Sequence, residues 1–145
     1  MRHTGDLATR TDPKVLIAIA VGGALGASSR YGMTQLVTVA PDTFPWATFW
    51  TNVSGSFALG VVLALVLERF PPSRYARAFA ATGFLGAYTT YSTFAVETDL
   101  LIKDGHAAVA LAYVVASFLL GFAAVFAGMA VARGRWRAGR PEALD

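Results

Sequence analysis

The apolar residues of this chain neither alternate nor trace a single helical stripe; they gather into four long runs joined by short polar stretches. The runs fall at about residues 15–39, 46–67, 75–101 and 107–132. A bilayer core takes roughly 20 apolar residues per helix, so each run predicts one crossing. The expected fold is an all-α membrane protein with four transmembrane helices. Residues 1–14 form an N-terminal tail, 15–132 the membrane domain and 133–145 a basic C-terminal tail. The first run follows Arg10 and Lys14, as the core of a signal peptide would. It is too long for that, and its glycines Gly22, Gly23 and Gly26 suit helix packing.

Composition agrees with the pattern. Of 145 residues, 55% are hydrophobic and 14% charged, which is too apolar for an ordinary soluble domain and short enough for one domain. The absence of cysteine removes disulfides, thiolate metal sites and cysteine nucleophiles. A net charge of +3 is no nucleic-acid signature here, because the basic residues flank apolar runs. Their placement is asymmetric. Arg2, Arg10, Lys14, Arg69, Arg74, Arg77, Arg133, Arg135, Arg137 and Arg140 fall on one face, against Lys103 and Arg30 on the other. Such a bias predicts cytoplasmic termini, and the last four arginines read as an anchor on that side.

Polar and small residues inside the runs carry the candidate chemistry. Gly22 with Gly26, and Ser56 with Gly60, form small-xxx-small pairs that bring helix backbones together in lipid. Arg30 closes the first run and is either a snorkelling interfacial cation or a vestibule cation that concentrates anions. Asn52 lies mid-run among Thr48, Thr51, Ser54 and Ser56; its amide either bridges helices or faces a polar cavity. In the third run, two glycines precede a dense polar and aromatic stretch, from Gly83 through Gly86, Ala87, Tyr88, Thr89 and Thr90 to Phe94. Either the helix kinks there with hydroxyls bonding back, or it breaks and leaves carbonyls that a cation would satisfy. Tyr91 and Phe94, three apart, share a face. They either pack on a neighbour or turn their positive ring edges to a small anion.

No carboxylate is expected within the apolar core of any run, since Glu68, Glu97 and Asp99 lie near run ends. This argues against a proton-coupled exporter of the small multidrug type, which needs such a group. His3 and His106 leave no nucleophile–His–acid set and no metal cluster, so the chain is not expected to be an enzyme. A structural subunit of a larger membrane complex remains as an alternative.

Three stretches together resemble the CrcB/Fluc family of fluoride channels: Gly22 to Ala27 with Arg30 and Tyr31; Thr48 to Asn52 with Gly55, Ser56, Phe57 and Gly60; and Gly83 to Phe94. A weaker match is Tyr113 and Ser117 followed by Gly121. The resemblance implies an antiparallel, dual-topology dimer of four-helix subunits in the bacterial plasma membrane. It further implies passive, selective export of fluoride that protects the cell, and a structural, non-transported sodium ion at third helices broken near mid-membrane. On that resemblance the main-chain carbonyls of Gly86 and Thr89 hold sodium and Asn52, Tyr91 and Phe94 line the fluoride path. Thr48, Tyr113 and Ser117 are secondary path residues, Arg30 is the vestibule cation, and Glu97 matches an acidic position after the pore aromatics.

The sequence departs from the family pattern at Tyr91, where the run usually has Phe. Its charge asymmetry also bears on assembly. A homodimer of opposed subunits needs each copy to insert both ways, whereas ten Lys/Arg against two favours one orientation. The partner is therefore either a second copy or a similar subunit inserted oppositely.

Overall fold

The computed structural model describes residues 12–40, 43–68 and 73–138. Every regular element among them is helical. Helix α1 (Pro13–Leu36) starts where Asp12 caps the Lys14 N–H with Pro13 in the first turn, a position at which proline's fixed φ helps and its missing N–H costs nothing. Helix α2 spans Trp46–Glu68. The third run is not one helix. It consists of a short α3 (Arg74–Arg77), a π-helical segment Ala78–Leu85, one turn α4 (Gly86–Tyr88), and, after two extended residues, α5 (Tyr91–Lys103). Helix α6 runs Ala107–Ala138, beyond the expected end of the fourth span.

Helices α1, α2 and α6 are each long and apolar enough to cross a membrane. Their outward side chains fit that solvent: Ile17, Leu119, Phe122 and Phe126 are well exposed, while buried Thr48, Thr51 and Thr90 sit inside. Of the four runs expected to cross, three appear as continuous helices of that length, and the third run is divided into short segments. Arg2, Arg10, Arg69 and Arg140, which weigh in the sidedness argument, lie outside the described residues, as do most of the two tails.

Two close backbone contacts organise the packing. Helix α2 lies along α6, with Gly60 against the Val125 carbonyl and Gly128 against the Phe57 carbonyl, where β-carbons would collide. Helix α1 lies along the π-helical segment and α4 in the same way. The Phe79 carbonyl crowds Gly22 and the Phe84 carbonyl crowds Gly26, while Gly83 sits on the backbone of Ile19. Without a hydrophobic drive between helices in lipid, such approach is what generates attraction.

The π-helical winding sets this contact in register. Positions four apart on α1 (Gly22, Gly26, Arg30) meet carbonyls five apart on the other strand of the pair (Phe79, Phe84, Thr89). Four α-helical residues rise about 6 Å, so five residues must rise roughly 1.2 Å each to keep pace, less than the 1.5 Å of an α-helix. Wider π winding over Ala78–Leu85 supplies that for the first step, Phe79 to Phe84, whereas the second, Phe84 to Thr89, passes through α4 and ends at the first extended residue. The turn from α5 to α6 is closed by Gly105 at φ 85°, with His106 N–H bonded to Leu101 O (2.8 Å) and Gly105 N–H to Ile102 O (3.2 Å). This is a Schellman closure, which needs the left-handed conformation glycine adopts without strain.

Candidate functional site

The expected break lies at Thr89 (φ −75°, ψ 158°) and Thr90 (φ −146°, ψ 122°), both extended. Thr90 restarts the helix as the N-cap of α5: its Oγ1 accepts the Thr93 N–H at 3.2 Å. Its own N–H is turned away from the Gly86 carbonyl, which it would meet in a continuing helix, and donates instead to Asn52 Oδ1 (2.9 Å). Asn52 Nδ2 donates back to the Thr90 carbonyl (3.0 Å). One side-chain amide thus copies the pairing of a peptide group and stabilises a break that lipid would otherwise penalise. Gly55, one turn along α2, leaves room for the Thr89 methyl and the Tyr88 ring.

From the other side Arg30 Nη1 donates to the Thr89 carbonyl, at a longer 3.5 Å. Arg30 is half-buried, and among the described residues no carboxylate forms an ion pair with it.

Two cavities flank Thr90. The larger, about 420 Å³ and open on one side, is lined by Asn52, Gly86, Thr89, Tyr91, Phe94 and Ser117 among others. The smaller, about 270 Å³, is lined by Arg30, Tyr31, Thr34, Thr48, Thr51 and Thr93. Thr90 borders both. Within the larger cavity the Tyr91 and Phe94 ring centroids are 6.1 Å apart and tilted by 39°, and Phe118 meets Phe94 edge-on at 6.2 Å. Tyr91 is 79% exposed. The Ser117 hydroxyl is buried and has no hydrogen-bond partner in the described structure. A buried hydroxyl without a partner is uncommon and here borders a cavity that could supply one.

The residues singled out in the sequence therefore divide. Asn52, Tyr91, Phe94, Ser117, Gly86 and Thr89 come together around the larger cavity, Arg30 and Thr48 around the smaller. Tyr113 borders neither. It is fully buried against Phe44, Phe49 and Phe94, and its hydroxyl donates to Glu97 Oε2 at 2.8 Å. Thr48 Oγ1 donates to the other carboxylate oxygen, Glu97 Oε1, also at 2.8 Å.

Glu97 corrects the expectation of a core free of carboxylates. Expected near the end of its run, it is half-buried and turned inward between α2 and α6. The signal was its spacing: three residues after Phe94, it must share the face that carries the aromatic pair. The argument against a proton-coupled exporter loses that support and passes to the comparisons with known proteins.

Residues 17–129 match the family model described as CrcB-like protein, Camphor Resistance (CrcB). The chain belongs to the CrcB family. Three similar curated proteins are named as fluoride-specific ion channels. A "Fluoride-specific ion channel FluC 3" of Streptomyces avermitilis is 50% identical over 82% of this chain and 58% of its own length. "FluC 2" of Nocardia farcinica is 41% identical over 88% of this chain and 90% of its own. The Rhodospirillum centenum "FluC" is 43% identical over 83% and 96%. The chain thus spans little more than half of the Streptomyces relative and nearly all of the other two. These relatives are ion channels by name and not enzymes.

Proposed function

We propose that this chain is a subunit of a fluoride-selective channel that exports fluoride passively across the bacterial plasma membrane and so protects the cell from fluoride. The reading rests on the larger cavity, where Asn52, the unpartnered Ser117 hydroxyl and the Tyr91 and Phe94 rings converge beside the helix break. Fluoride is small and strongly hydrated, so a path through low-dielectric surroundings must replace its water with donors. The Ser117 O–H and the second Nδ2 hydrogen of Asn52 are such donors, and aromatic ring edges present their positive rim. Arg30, beside the smaller cavity, raises the local anion concentration at a mouth of the path. Thr48 and Tyr113 act through Glu97, holding its carboxylate in place. No energy coupling is required: fluoride that enters as neutral HF ionises inside and leaves down its gradient.

A cavity open on one side is half a path, which favours assembly with a second, oppositely oriented subunit through that face, each subunit crossing the membrane four times with its third helix broken near mid-membrane. The Gly86 and Thr89 carbonyls suit a structural sodium ion there. Gly86 loses the helical amide partner that Asn52 captures from Thr90, and uncharged carbonyl oxygens are the donors that alkali cations take in proteins. Bound sodium would supply positive charge to these carbonyls and tie the breaks together. The partner is a second copy or, as the excess of Lys and Arg on one face favours, a similar subunit inserted the other way, with the termini of this chain in the cytoplasm. Mapping the termini in cells distinguishes these, since a homodimer requires a substantial population with outside termini.

Fluoride efflux from liposomes holding the purified chain, with chloride as control anion, tests the function. Rapid fluoride release without chloride release is the expected result, with the chain alone or with its oppositely inserted partner. Silence from well-folded protein in both cases overturns the channel reading in favour of a structural membrane subunit.

A further inference from the structure

The contact row between α1 and the third run ends in a charge. Gly22 and Gly26 each face a carbonyl, and the next position of the row, Arg30, brings a guanidinium to the Thr89 carbonyl at 3.5 Å. Because the glycines draw the two backbones together, this reach is imposed by packing and not chosen by a free side chain. Arg30 is half-buried, among the described residues it has no carboxylate counter-ion, and its hydrogen bond to Thr89 is the one the structure shows for it. Across the break, Asn52 occupies both the N–H and the carbonyl of Thr90. Thr89 O is therefore the carbonyl at the break whose partner is a cationic side chain, at the long distance of 3.5 Å.

A carbonyl oxygen shared by a guanidinium is a poorer ligand for a metal cation, both because a lone-pair direction is taken and because the two positive charges repel at short range. We propose that Arg30 is a built-in competitor for the cation site at the break, holding the Thr89 carbonyl when no ion does and setting how tightly the chain takes sodium there. This rests on the reading that sodium is held by Gly86 and Thr89, and it is independent of whether fluoride is conducted. It makes Arg30 a positioning residue for the break as well as a cation at the cavity mouth. Competition of this kind is reciprocal: sodium loosens Arg30 from Thr89 by the same factor by which Arg30 weakens sodium.

The test is the thermal stability of the purified full-length chain, with its partner subunit if it needs one, as sodium replaces N-methyl-D-glucamine at constant ionic strength. In Arg30→Gln the sodium concentration for half-maximal stabilisation should fall by on the order of tenfold. Arg30→Lys, a cation without the planar fork, should fall between the two. An unchanged or higher half-point in Arg30→Gln overturns the proposal, as does the lack of any sodium response in both chains. Should Arg30→Gln not fold, the guanidinium ¹⁵N resonance of Arg30 in the unaltered chain decides. It should shift on adding sodium and stay fixed with N-methyl-D-glucamine; a resonance indifferent to sodium overturns the proposal. Fluoride flux without any sodium response would remove this proposal and leave the channel reading standing.

Discussion

Gly26 and Phe84 meet backbone to backbone, the Phe84 carbonyl oxygen filling the space that a β-carbon on Gly26 would need. Gly32, on the same helix, has nothing within 4 Å of that position. The pair predicts opposite outcomes for one chemical change. Gly26→Ala must push α1 off the π-helical segment and should cost about 1–3 kcal/mol. Gly32→Ala should be neutral or stabilise by up to about 1 kcal/mol through helix propensity. Thermal melts of both variants in the same detergent check this, and equal losses would contradict the close approach.

Asn52 should matter through both ends of its amide. Asn52→Asp keeps an acceptor for the Thr90 N–H but replaces the donor to the Thr90 carbonyl with a negative charge, and Asn52→Ala loses both bonds. We expect a loss of about 1–3 kcal/mol in either variant. In Asn52→Asp fluoride flux should also vanish, because a carboxylate repels the anion and offers no donor. Undiminished flux from folded Asn52→Asp protein would remove Asn52 from the path.

Glu97 joins Thr48 and Tyr113 through its two oxygens. Thr48→Val and Tyr113→Phe should each cost about 1 kcal/mol, the scale of hydrogen bonds inside membrane proteins. Their effects should be non-additive, since both act on one carboxylate. In a Glu97→Ala background the two substitutions should become nearly neutral. A double-mutant cycle read by chemical denaturation measures the coupling, and strict additivity would show that the carboxylate does not link them.

The Pro13 end of α1 should respond to acid. Asp12 sits among the Lys14 N–H, the Tyr75 hydroxyl (2.9 Å) and the Arg74 guanidinium. Its carboxyl is held below the usual value, first by the Lys14 N–H, then by the Tyr75 hydroxyl, with Arg74 adding to both. A lowered folded value means the contribution is complete above the unfolded value of about 4 and fades as pH falls below it. Asp12→Asn should therefore melt slightly below the parent chain at pH 7, and the gap should narrow as pH falls below about 4. The gap should be small, since the carboxylate is partly exposed and its partner Arg74 is well exposed. A gap that stays unchanged as the pH is lowered to about 2 would exclude the charge as its source.

Much of the architecture could be read along the chain because it depends on local composition. The apolar runs predicted α1, α2 and α6 to within a few residues at most ends, and the glycine and hydroxyl density after Gly83 predicted the break. The length of α6 past Arg133 was missed, because a run of Arg, Gly and Trp carries no apolar signal even while the helix continues. The π-helical segment was missed as well. Ala, Phe, Thr, Gly and Leu suit either winding, and only the α1 backbone on which Ala78–Leu85 packs selects the wider one. For the candidate site, the larger cavity brings together Asn52, Tyr91, Phe94, Ser117, Gly86 and Thr89, the smaller one Arg30 and Thr48, while Tyr113 borders neither and, like Thr48, donates to Glu97.

The sequence by itself determined the solvent and most of the polar groups that must be satisfied inside it, since hydrophobic runs of bilayer length and the Asn, Thr and Ser within them can be read from single segments, whereas the inward turn of Glu97 could not. Only the tertiary structure decided which group satisfies which. Asn52 finds Thr90 across 38 residues and Arg30 finds Thr89 across 59. In a medium without water, backbone donors and acceptors need protein partners within hydrogen-bonding distance. Which partner lies within that distance is set by how closely the glycine faces let the helices approach, and no single segment encodes that.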